Sequence, residues 1–294
     1  MTTQFAIMKT SEYRAEVKRC KAVQASHRVA NGMAATTPRV LSAPKDISKL
    51  DKSDTAIYGL ALAQSRLSGF NVCPHSTPDC VSSCVGKNGN GAFKSVKHAR
   101  IVRTKFWIDH PQEFRFLIAH EIRSALVRHN GNVEFRLNTF SDVEWQTVAP
   151  EWFAIDGAHF YDYTKNWDRV DIFGNYSLCY SVTEHTTDEQ IVSRLSAGDT
   201  VAMVINVRGG YIAKTTDLRP IPTSFAGFDI IDGDKEENRA SDPASTIVGL
   251  RAKGSMLRKS MARRVDTIDG TLAVLPKEAH TVAVKLGRGG KVLA

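Results

Sequence analysis

VEFRLN (133–138), HFYDYT (159–164), YSLCYS (176–181) and TVAMVINV (200–207) are β-rich runs that recur roughly every 20 to 25 residues, the spacing of strands joined by crossovers. Helix-like stretches lie between some of them, at 150–155 and 188–195. FDIID (228–232) and TIVGL (246–250) read as later strands. A strand reaches a parallel partner only through a crossover, so alternating strands and helices predict an α/β fold with a parallel sheet. The number of these units favours a complete or partial βα barrel over an open sheet covered on both faces.

Upstream of these strands the period changes. In KSVKHARIVRTKFWIDHP (94–111), Val96, Ala99, Val102 and Phe106 recur every three or four residues, as on one face of a helix. Asp109 and Pro111 mark a junction. A second helix then runs from Pro111, with Phe114, Leu117, Ile118, Ile122, Ala125 and Leu126 on one face, and Asn130-Gly131 closes it. The run 55–66 reads as either a helix or a buried strand followed by a turn, because a short apolar run does not decide between them. Lys94, Lys97, Arg100, Arg103 and Lys105 line the first helix, as a solvated face or as a face for a phosphate-bearing partner.

Polar residues crowd the C-terminal ends of the predicted strands. Asn138, Ser141 and Asp142 follow the first, Asp162 and Lys165 end the second, and Ser181 and Glu184 the third. Asp232 and Asp234 end the strand at 228–232. Parallel α/β folds bind ligands at that edge. Asn138, Asp142, Asp162, Lys165 and Glu184 are therefore candidates to hold a substrate, and Ser181 and Asp232 to hold a cofactor.

The loop at 70–91 carries the second signal. Its core is CPHSTPDCVSSC (73–84), with Cys73, Cys80 and Cys84 in a C-x6-C-x3-C spacing. The chain has five cysteines, the others being Cys20 and Cys179. An odd number with three crowded together is a poor disulfide framework and points to metal or redox chemistry. Three thiolates on one loop suit three corners of a four-iron cluster, leaving the fourth iron open to a ligand such as S-adenosylmethionine. Zinc is the alternative, with His75 or Cys179 as fourth ligand, although only the Cys80/Cys84 half has a usual zinc spacing. Cys179, in mid-strand, also reads as a small core residue. The glycines of 86–91 do not match a phosphate-loop motif and read as backbone that wraps closely around a bound group.

Charge divides the chain. Residues 1–50 carry +6, residues 51–250 carry −5 and residues 251–294 carry +7, for a net +8. This predicts a basic N-terminal arm, an α/β core holding the cysteine loop and a basic C-terminal extension. Such arms are either solvated tails or attract nucleic acid. No run is apolar for long enough to span a bilayer, and the N-terminus lacks a signal-peptide pattern, so the expected location is cytoplasmic.

The cysteine run, together with HARIVRTKFW (98–107), FRLNTFSDVEW (135–145), FYDYTK (160–165), YSLCYSVTEH (176–185), VAMVINV (201–207), IIDGDKEENRASDP (230–243) and IVGLRAKG (247–254), resembles a phage-encoded family named after mycobacteriophage gene product 88. The similarity covers roughly residues 55–255. It implies a phage protein acting in the cytoplasm of the infected host cell, with the three-cysteine loop as a family feature. A more distant likeness is to radical S-adenosylmethionine enzymes, which join an early three-cysteine loop to a βα barrel. The spacing here departs from their C-x3-C-x2-C pattern, and no glycine-rich S-adenosylmethionine motif follows.

These readings lead to two expectations. The first is a phage iron–sulfur protein that acts as a radical-type enzyme on an unidentified small molecule. The second is a metal-stapled protein that binds nucleic acid, or a host partner, without catalysis.

Overall fold

The computed structural model describes residues 6–47, 50, 53–206 and 221–252, with the backbone of three two-residue strands at 263–264, 267–268 and 271–272. The first helix, α1 (Ser11–Ala30), precedes β1 (Ala56–Gly59), and the cysteine loop follows with the one-turn helix α2 (Pro78–Ser82). Next come α3 (Lys94–Asp109), α4 (Pro111–Arg128), β2 (Val133–Arg136), α5 (Trp145–Val148), α6 (Pro150–Phe153) and β3 (His159–Thr164). β4 (Tyr176–Ser181), α7 (Asp188–Ser196), β5 (Thr200–Asn206), β6 (Ser224–Phe225), β7 (Phe228–Asp232) and β8 (Ile247–Arg251) complete the main body.

The predicted helices and strands form almost where the pattern put them. Pro111 starts α4, and its end turns through Asn130 (φ 50°) and Gly131 (φ 82°), with the Gly131 N–H donating to the Leu126 carbonyl. The 55–66 run resolves as a strand, β1, that leads through irregular chain into a turn beginning at Ser65.

β1 to β5 lie side by side in chain order and all parallel, and β8 and β7 continue the parallel sheet beyond β5. β6 is antiparallel to β7. Helices α3 to α7 pack on one face of this sheet. Phe135, Phe160, Tyr180, Val201 and Met203 from the strands join Phe106, Phe114, Ile118, Trp145, Trp152 and Ile191 from the helices in one core. Trp145 is the hub, with ring centroids 4.7 Å from Trp107 and 5.1 Å from Trp152.

The sheet stays open, so a complete barrel does not form among the described residues. The outer edge of β1 is taken up at its C-terminal end. Ser42 and Gly59 exchange two backbone hydrogen bonds, and the half-buried Glu121 of α4 accepts from the N–H groups of Val40 and Leu41 at 2.8 and 2.7 Å. The C-terminal end of β1 is thereby covered by the 40–42 segment rather than by a further strand.

The N-terminal region also differs from an arm. α1 docks on α4 through Arg19–Glu113 at 2.8 Å and Tyr13 against Phe116, and it buries Cys20 completely. Composition shows the charge of this helix, but only its i, i+4 neighbours show that one face is covered. The basic C-terminal extension and residue 207 lie largely outside the described residues. Among the described residues, no helix is long and apolar enough to cross a membrane.

Candidate functional site

The chain leaves β1 and crosses the C-terminal edge of the sheet as the cysteine loop. Three contacts fix it there. The Asp142 N–H donates to the Val72 carbonyl at 2.8 Å, the Ser65 N–H approaches Cys73 Sγ at 3.4 Å, and the Cys73 thiol lies 3.6 Å from the Phe140 carbonyl. Pro78 opens α2, with the Thr77 hydroxyl accepting from the Cys80 N–H at 3.3 Å. Glu184, just beyond β4, accepts from the Thr77 hydroxyl at 2.7 Å and from the Asp79 N–H at 3.1 Å. A carboxylate at a helix start is favourable on charge grounds as well. A Cβ on Gly91 would overlap the Gly86 carbonyl, which is the physical reason for glycine in this tight turn.

Cys73, Cys80 and Cys84 all line one cavity of about 190 Å³ at this edge. Asn138, Ser141, Asp142, Lys165 and Ser181 give it a polar wall, and Val182, Ala202, Val204 and Leu250 an apolar one. Among the described residues, no three Cys, His, Asp or Glu side chains stand close enough to hold a metal ion as placed. The donor chemistry nonetheless fits a thiophilic centre. Burial pushes the Cys73 thiol up to about 11; the Ser65 N–H opposes this, while Cys84 and Cys80 raise it further. Burial raises Cys84 as well. Thiols that are buried and repel one another as thiolates stay protonated until a metal supplies positive charge.

Four of the sequence candidates thus come together with the cysteines: Asn138, Asp142, Lys165 and Ser181. Asn138 is already saturated. Its Oδ1 accepts from Ser141 and from the Val143 N–H, and its Nδ2 donates to the Val143 carbonyl and to Asp162. Asp142 accepts from the Lys165 N–H at 2.8 Å and lies 3.5 Å from Arg169. Asp162, Glu184 and Asp232 do not line the cavity. Asp162 is fully buried beneath the loop, Glu184 holds α2, and Asp232 forms a two-point pair with Arg251 at 2.6 and 2.8 Å. His75 is exposed and outside the lining. Cys179 packs with Ala202 and Val248, where burial raises its thiol to about 12.

Arg136, Tyr163 and Ser76 line the cavity although strand-end reasoning did not find them. The available signal was alternation: positions 136 and 163 point away from the helix-packed core formed by Phe135 and Phe160.

Residues 24–268 match the family described as gene product 88. The chain belongs to this phage gene-product family. The match spans the parallel sheet and the cysteine loop, and it brings no support to the likeness to radical S-adenosylmethionine enzymes. Neither a curated protein nor a solved structure matches the chain.

The role of Glu184 can be tested directly. Glu184→Ala is expected to destabilise the fold by about 1–2 kcal/mol, since it leaves the Thr77 hydroxyl and the Asp79 N–H without their acceptor. Urea unfolding reads the loss. A several-fold faster reaction of Cys80 with a thiol reagent would show that the loosening is local to α2.

Proposed function

We propose that Cys73, Cys80 and Cys84 hold an iron–sulfur cluster at the C-terminal edge of the sheet, facing a small-molecule cavity. The observation that carries this reading is the convergence of three thiols, separated by up to eleven positions in sequence, on one cavity. A three-cysteine set leaves one iron without a protein ligand. In that arrangement Lys165 and Ser181 face a ligand bound beside the cluster, and Asp142 and Asn138 shape the loop around it. The position of the cavity at the C-terminal ends of parallel strands, where α/β folds commonly bind ligands, supports this reading. When bound, the cluster would supply electron transfer or activation of S-adenosylmethionine at its open iron.

Purification without oxygen, with iron, acid-labile sulfide and zinc measured on the same sample, tests the proposal. About four irons and four sulfides per chain are expected, lost in Cys80→Ala. A change in the electron-resonance spectrum on adding S-adenosylmethionine would support the radical-type reading. Stoichiometric zinc without iron would replace both with a structural staple, and folded protein free of any metal would refute metal binding.

A further inference from the structure

Behind the thiol cavity lies a larger one, of about 660 Å³, and Val85 and Phe140 line both. Arg100 and Arg103, from successive turns of α3, face into it, with Asn88, Asn90 and Phe93 around them. Arg100 is only 7% exposed, stacks 3.9 Å above the Phe140 ring and donates one N–H to the Gly86 carbonyl at 2.9 Å. Arg103 donates to the Ala61 carbonyl at 2.7 Å. Among the described residues, neither guanidinium has a carboxylate within ion-pair distance.

Asp46 also lines the cavity, but its carboxylate already accepts from the Ala43 N–H at 2.7 Å and from Arg39 at 3.4 Å. Burial lowers Arg103 to about 10, against the opposing pull of Glu121, and lowers Arg100 as well. The start of α3 adds to this. Phe93 and Val96 border the cavity, and Phe93, as the N-cap, offers the first turn no side-chain acceptor. Free amides at a helix start favour an anion. Phe93 is 61% exposed, a large aromatic surface at the mouth of a cationic cavity.

We propose that this cavity binds a phosphate-bearing small molecule, with Arg100 and Arg103 on the phosphate and Phe93 available to a planar group. Guanidinium groups match phosphate oxygens in pairs, which a lysine surface does not. The outward lysines of α3 are then a solvated face, and the inward arginines are the recognition element.

Calorimetric titration of the full chain with ADP, pyrophosphate and adenosine tests the site, whether or not a cluster is present. ADP and pyrophosphate are expected to bind, adenosine not, with affinity falling as salt rises. Arg103→Gln is expected to weaken both anions roughly tenfold or more, with an unchanged unfolding midpoint, and Arg103→Lys to restore part of the loss. Equal affinity for the two anions would identify a site for free polyphosphate. Tighter ADP binding, lost in Phe93→Ser, would identify a nucleotide site. No heat with either anion at millimolar concentration, or Arg103→Gln binding as tightly as the parent chain, would overturn the proposal.

Discussion

Asp162→Ala is expected to destabilise the fold by about 3–5 kcal/mol, because it leaves several buried donors without an acceptor. The Asp162 carboxylate is completely buried on β3. It accepts from the Asn138 N–H at 2.6 Å, the Asn138 Nδ2 at 3.0 Å and the Tyr176 hydroxyl at 2.7 Å. Arg169 in turn donates to Tyr176 at 2.5 Å and reaches Asp142, on the cavity wall. Removing one carboxylate therefore disturbs a path that runs from the helix-packed side of the sheet to the cavity. Urea unfolding measures the loss, and values within about 1 kcal/mol of the parent would show that water replaces the carboxylate.

The same residue has a pH signature. Burial raises its pKa from 3.8 to about 6, against the opposing pull of Arg169, Tyr176 and the Asn138 amide. The folded state then holds a proton that the unfolded chain has released between these two values. The contribution of Asp162 to stability is greatest below the unfolded value and declines as pH rises through about 6. Asp162→Asn does not titrate, so its stability should vary less with pH across that window. It should cost less than alanine, about 1–2 kcal/mol, since an amide oxygen still accepts while its NH2 faces the Asn138 donor.

The network also shows what the sequence could disclose. Strands and long helices were readable because their periods, two and about 3.6, are written in consecutive residues such as Phe135, Leu137 and Phe114, Leu117, Ile118. The cysteine loop was readable because its three thiols are local. Strand-end polarity placed Asp142, Lys165 and Ser181 at the cavity edge. It did not distinguish them from Asp162, whose carboxylate turns toward Asn138, or from Asp232, which pairs with Arg251. Pairings of that kind join residues far apart in sequence and depend on register, which no single strand encodes. The open sheet edge had the same origin. Ser42 pairs with Gly59 at the end of β1, and Glu121 holds the segment that carries Ser42, both from outside the repeating pattern.

Register also underlies the second large effect, at Glu237. This residue lies between β7 and β8 in a segment packed against the sheet face opposite the helices, and its carboxylate pairs with Arg136 of β2. Both side chains are buried, at 6% and 2% exposure. The Arg136 guanidinium also sits 4.7 Å from the centre of the Tyr163 ring. Burial alone would push the pKa of Arg136 down, but Glu237, together with Tyr161, Tyr163 and Asp162, more than reverses this, so the guanidinium stays charged. Glu237→Gln is expected to cost about 3–5 kcal/mol, most of it the cost of a buried cation left without its partner. Arg136→Met alone should cost a comparable amount by stranding Glu237. The double variant Arg136→Met, Glu237→Gln should recover a large part of the loss, because the two substitutions remove the same interaction. Denaturant unfolding of the four proteins gives the coupling. Additive losses in the double variant would show that the pair is not a unit, and that the 234–242 segment is held to the sheet by its other contacts, such as Asp234 with Arg251 of β8 at 3.2 Å. Strong coupling would mean that one ion pair, contributed by residues a hundred positions apart, fastens this segment over the face that carries the thiol cavity.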